Sequence, residues 1–90
     1  MNNTRRKEID RLETRISSLV SDLSDIKDSV SAVHDEEQDY LDNMPESMRD
    51  GEKAQKAQEA VDSLYEALNT IEDAETYLND INNSLENAKA

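Results

Sequence analysis

The side chains of this chain that could do chemistry are mostly carboxylates: 22 Asp and Glu stand against 10 Lys and Arg. Glu52, Glu59, Glu66, Asp73 and Asp80 recur at every seventh position, which on a helix makes a line of acids about 10.5 Å apart. Asp25, Asp28, Asp35, Asp39 and Asp42 project from one side of the preceding segment, flanked by Asp22 and Glu36, with Lys27 the sole nearby cation. The chemistry open to such rows is electrostatic. Two parallel lines of carboxylates on a narrow helical scaffold can imitate the phosphate rows of a duplex and occupy a basic groove, because phosphate contacts supply most non-specific affinity. The plainer reading is a solvated face that keeps a small protein soluble.

Other chemistry finds little support. His34 is the only histidine, and His34-Asp35-Glu36-Glu37 offers no second histidine at helical spacing, which argues against a zinc site. The run Asp35 to Asp39 lacks the glycine and the bidentate glutamate of a calcium loop. Ser17, Ser18, Ser21 and Ser24 have no base directed at them, there is no glycine-rich phosphate loop, and the absence of cysteine excludes thiolate chemistry. The expectation is a non-enzyme with no cofactor and no metal.

The elements that must position the acids follow from periodicity. Apolar and charged residues make up 34% and 36% of the chain, a balance shared by disordered chains and coiled coils. Ile9, Leu12, Ile16, Leu19, Leu23, Ile26, Val30, Val33, Glu37, Tyr40 and Met44 alternate in steps of three and four, a heptad seam that predicts a helix over about residues 3–43, capped by Asn3 or Thr4. Ala54, Ala57, Val61, Leu64, Leu68, Ile71, Glu75, Leu78, Asn82 and Leu85 repeat the pattern over about 51–88. Between them lie the only proline, Pro45, and the only glycine, Gly51. Pro45 breaks the first helix, and Asp50 is the expected N-cap of the second, with Ser47 an earlier alternative.

The expected fold is all-α: one domain over residues 1–90, an antiparallel two-helix coiled-coil hairpin with its turn at about 44–50 that dimerises into a helical bundle. The first helix has the narrow seam of a helix with one neighbour. The second adds a row, Ala60, Ala67, Ala74, Ile81 and Ala88, which with Tyr65 is the expected self-association surface. Facing residues whose numbers sum to 94 would form the layers, with Glu37, Glu75 and Asn82 as polar members that give up stability for register. Val20, Leu41, Met48, Tyr65 and Tyr77 fall off this seam.

A net charge of −12 argues against direct binding to nucleic acid or anionic membrane and favours a protein partner with a basic surface. Residues 1–15 run the other way, with five bases and three acids. Arg5, Arg6, Lys7, Arg11 and Arg15 either balance Asp80 and Glu86 at the end of the second helix or form a basic docking arm. With no apolar targeting run near the start and no membrane span, the expected location is the cytoplasm.

The central run from Asp35 through Asn43-Met44-Pro45-Glu46-Ser47, followed by Ala57-Gln58-Glu59-Ala60-Val61-Asp62-Ser63-Leu64, resembles short acidic helical proteins of phages and mobile elements of Gram-positive bacteria. The resemblance covers about half the chain and implies a context, the host-cell cytoplasm, rather than an activity. Small acidic phage proteins include anti-CRISPR and anti-restriction DNA mimics, so it implies a modulator that blocks a nucleic-acid-binding host defence protein. A structural coiled-coil scaffold or assembly accessory, acidic for solubility alone, is the alternative.

Overall fold

In the computed structural model, which describes all residues Met1–Ala90, two long helices and a short turn account for nearly the whole chain. Helix α1 spans Asn3–Asp42 and helix α2 spans Glu52–Ala88, with a single 3₁₀ turn at Glu46–Met48 between them. There is no strand, and the arrangement is consistent with a helical hairpin. Neither helix is long and apolar enough to cross a membrane.

The ends of the helices are secured by residues other than those expected. At the start of α1 it is Asn2 whose side-chain oxygen accepts the Arg5 N–H at 2.9 Å, in place of Asn3 or Thr4. α1 has no basic residue in its last turn. The end of α1 is met instead by Asn43, whose backbone N–H and side-chain amide both donate to Asp39 O, at 3.0 and 2.8 Å, and by Arg49 from beyond the proline, which donates to Asp42 O at 3.2 Å and to Met44 O, just past the helix, at 3.3 Å. Pro45, at φ −57° and ψ 144°, opens the 3₁₀ turn, and its carbonyl accepts the Met48 N–H at 2.9 Å. Gly51 rather than Asp50 stands before the first turn of α2, its carbonyl accepting from Gln55 N at 3.2 Å. A Cβ at Gly51 would sit 3.3 Å from the Met48 carbonyl oxygen, a tight contact that a larger residue takes only if the turn gives by a few tenths of an ångström.

The chain divides into two compact units. The first comprises Met1–Asp25 and Ile71–Ala90. Ile9 is buried there, with Leu12, Ile16, Leu23, Ile71, Leu78 and Leu85 half-buried. Asn82 donates to the carbonyl of Glu13 and to Ser17 Oγ, both at 3.3 Å, and Arg6 donates to the Lys89 carbonyl at 3.1 Å. The second unit, Ile26–Thr70, contains the turn and buries Met44, Ala54, Ala57 and Val61. Ala57 is 2% exposed, less than any other residue of this core. In the same unit the rings of His34 and Tyr65 lie 6.5 Å apart.

All ten positions of the α2 seam are buried or half-buried. α1 departs from its expected seam. The row Ile9, Ile16, Leu23, Val30, Glu37 and Met44 does turn inward, but Leu19, Ile26, Val33 and Tyr40 remain 49–52% exposed. In their place Glu13, Val20, Lys27, His34 and Leu41 are half-buried. Val20 and Leu41 therefore belong to the packed side, whereas Met48, Tyr65 and Tyr77 are exposed. In that second row Glu13 stands 2.9 Å from Lys89 Nζ, and the His34 ring lies against that of Tyr65.

Candidate interaction surface

Every acid of the two expected rows is exposed. In the unit containing the turn these are Asp28, Asp35, Asp39 and Asp42 of α1 and Glu52, Glu59 and Glu66 of α2; in the other unit they are Asp25, Asp73 and Asp80. Three of the ten have local partners: Glu52 with Lys56 at 3.1 Å, Asp42 with the Gln38 amide at 2.9 Å, and Asp35 with His34 Nδ1 at 3.1 Å. These are neighbours within one helical turn, and pairs so exposed add little stability. The carboxylates of Asp25, Asp28, Asp39, Glu59, Glu66, Asp73 and Asp80 face solvent with neither a cation nor a hydrogen-bond donor.

The balance of charge at the chain ends differs from expectation. None of Arg5, Arg6, Lys7, Arg11 and Arg15 pairs with Asp80 or Glu86; Arg11 turns to Glu8 at 2.8 Å. The cation that does the balancing is Lys89, whose Nζ stands 2.7 Å from Glu86, 2.9 Å from Asp10 and 2.9 Å from Glu13. Its ammonium is pushed up from its ordinary value by Glu86 first, then Asp10 and Glu13, and it holds the Glu86 carboxyl below the ordinary range. Three acids around one lysine could have been found in the sequence only by pairing the last turn of α2 with the first turns of α1. Arg5, Lys7 and Arg15 stay exposed and without an ion pair.

Of the expected self-association residues, Ala60, Ala67 and Ala74 are half-buried, whereas Ile81, Ala88 and Tyr65 are exposed. No group of three His, Cys, Asp or Glu side chains is placed to hold a metal ion. Concavities are shallow and open. One of about 440 Å³ beside the turn is lined by Tyr40, Met44, Pro45 and Met48, with Glu36 and Asp39 on its rim. A second, of about 450 Å³, lies against Leu41, Arg49 and Ala54. Neither gathers a nucleophile, a base and an oxyanion donor about one point. Compared with protein-family models, curated proteins and solved structures, the chain matches none.

Proposed function

We propose that this chain is a non-enzymatic acidic protein-interaction module, a small phage-type modulator that occupies a basic, nucleic-acid-binding surface of a host protein in the manner of an anti-CRISPR or anti-restriction DNA mimic. The observation that carries this reading is the state of the seven unpartnered row carboxylates. A carboxylate already paired inside its own protein has little field left for a partner, whereas an unpaired, solvated one contributes its full charge to steering and docking. The partner is a host protein met in the cytoplasm; nucleic acid and membrane are not bound directly.

The same reading has the helices packed antiparallel and two copies associated in a bundle. The antiparallel sense is supported in the unit made of Met1–Asp25 and Ile71–Ala90, where Asn82 stands at Glu13 and Lys89, further along the chain, at Asp10. The scaffold alternative is favoured by a different observation, the half-exposed apolar row of α1, which serves assembly without any role for the acids. Capture of partners from host lysate at low and high salt separates the two. An electrostatic mimic loses its partner steeply as salt rises, and a seam-mediated assembly does not. Retention of one partner undiminished at high salt would sink the mimic.

A further inference from the structure

The concavity beside the turn has an apolar lining and an acidic rim, and we infer that it takes an apolar side chain of a basic segment, one flanked in its own chain by lysine or arginine. The concavity lies wholly within the unit Ile26–Thr70. Its volume of about 440 Å³ falls in the range of roughly 300–1,000 Å³ that holds ligands. Part of the lining is fixed before any partner arrives: Met44 is buried, and the Met48 N–H ties the turn to the Pro45 carbonyl at 2.9 Å. Tyr40 and Met48 also line it and are 49% and 40% exposed, so most of their contact surface is open to a partner. A methionine thioether adapts to the shape that it meets, and a tyrosine ring supplies a large contact at little entropic cost.

Charge selects the occupant. Glu36 and Asp39 are exposed on the rim, and neither carboxylate has an ion pair or a hydrogen-bond donor. No base stands within one helical turn of either along the chain. Arg49, just past Met48, is held on the Asp42 and Met44 carbonyls and lines the other concavity. The unit as a whole carries twelve acids against four bases, so an acidic occupant is repelled and a cationic one is drawn in. A purely polar cation would leave Tyr40 and Met48 facing water. A segment with both features fits both parts, its apolar anchor against the lining and its cations at Glu36 and Asp39. This rests on the basic partner proposed above, and adds the point at which that partner is anchored.

The test uses the full chain and three peptide probes: one tryptophan between runs of lysine, the same peptide with glycine for tryptophan, and the tryptophan peptide with glutamate for lysine. The chain has no tryptophan, so indole fluorescence reports the probe alone, and among its three methionines Met44 and Met48 report the site while Met1 is the control. The lysine–tryptophan probe should bind saturably and shift the Met44 and Met48 methyl resonances. The glycine probe should bind about fivefold more weakly or worse, and Met48→Gln should bring the tryptophan probe down to that level. Glu36→Gln/Asp39→Asn should weaken it several-fold more than Asp73→Asn/Asp80→Asn, the same loss of charge in the other unit. Circular dichroism verifies that each variant keeps its helices. Equal binding of the tryptophan and glycine probes, or Met48→Gln protein that binds like wild type, overturns the anchor and leaves the basic partner to the acid rows. No binding of the lysine–tryptophan probe also overturns the anchor, with the basic partner then judged by capture at graded salt. A glutamate probe that shifts Met44 and Met48 overturns the cationic occupant. Methyl shifts that follow protein concentration with no probe present overturn it as well, since a second copy then fills the concavity.

Discussion

Lys89 Nζ lies 2.9 Å from the Glu13 carboxylate, so the residue after α2 is tied to the third turn of α1 by an ion pair. Glu86 and Asp10 complete the cluster at 2.7 and 2.9 Å. Its pH dependence follows from the two shifts. The lowered Glu86 group stabilises above its ordinary value of 4.5, and that stabilisation fades as pH falls through and below it. The raised Lys89 group stabilises below its ordinary value of 10.5 and loses that contribution only above it. Acid also relieves the general repulsion of the chain, so the difference between wild type and Lys89→Met is the informative quantity. That difference in melting temperature should favour wild type between about pH 5 and pH 10 and shrink toward pH 3. A difference independent of pH would show that Lys89 acts through its aliphatic stem alone.

Arg49 closes the C-terminal end of α1 from outside it, donating to Asp42 O and Met44 O. Arg49→Ala leaves those carbonyls to water and should cost about 1 kcal/mol in denaturant unfolding. Arg49→Lys should recover only part, since one ammonium cannot reproduce the two-pronged contact of a guanidinium. Equal stability of all three proteins would mean that water satisfies the helix end as well as arginine does.

Arg49 and Lys89 illustrate what could and could not be read from the chain. Pro45, Gly51 and the two heptad blocks mark two helices and the break between them, because breakers and periodicity act locally. The inward row of α2 was readable for the same reason, from Ala54 to Leu85. The rotation of α1 was not. Ile9, Ile16, Leu23 and Val30 can be flanked inside either by Leu19, Ile26 and Val33 or by Val20, Lys27 and His34. Both rows have helical spacing, and which of them turns inward depends on residues of α2 that are far away in sequence, such as Lys89 for Glu13 and Tyr65 for His34. Caps were misplaced by one residue at each start, since Asn2, Asn3 and Thr4, like Asp50 and Gly51, all have cap-forming chemistry. The acid rows were fully readable as positions, but their lack of partners required knowing where every cation went.

Asn82 is the polar residue of the α2 seam with the clearest cost. Its amide nitrogen makes two long bonds of 3.3 Å, while its buried Oδ1 accepts none. The Glu13 carbonyl that it touches is already inside α1, so removing the amide does not orphan it. Asn82→Leu should therefore stabilise the protein, by about 1–2 kcal/mol, in thermal or urea unfolding. The same substitution removes a feature that specifies alignment, and amide exchange should become more uniform along the first unit. A destabilised Asn82→Leu protein would show that the two long bonds outweigh the unsatisfied oxygen.

The acid rows are tested by removing charge without touching the packed side. Glu59→Gln, Glu66→Gln, Asp73→Asn and Asp80→Asn together neutralise four exposed carboxylates that have no partner in the chain. Helicity should survive, because the buried and half-buried positions from Ala54 to Leu85 are unchanged. Stability should hold or rise slightly as self-repulsion falls. Each exposed charge contributes about 0–1 kcal/mol to a contact, so a single substitution should weaken a basic partner only a few-fold. The quadruple change should weaken it by roughly the product of those factors and flatten the dependence on salt, since fewer charges are then engaged. If the neutralised protein binds as tightly as wild type, with the same salt dependence, the rows serve solubility and the apolar face is left as the working surface.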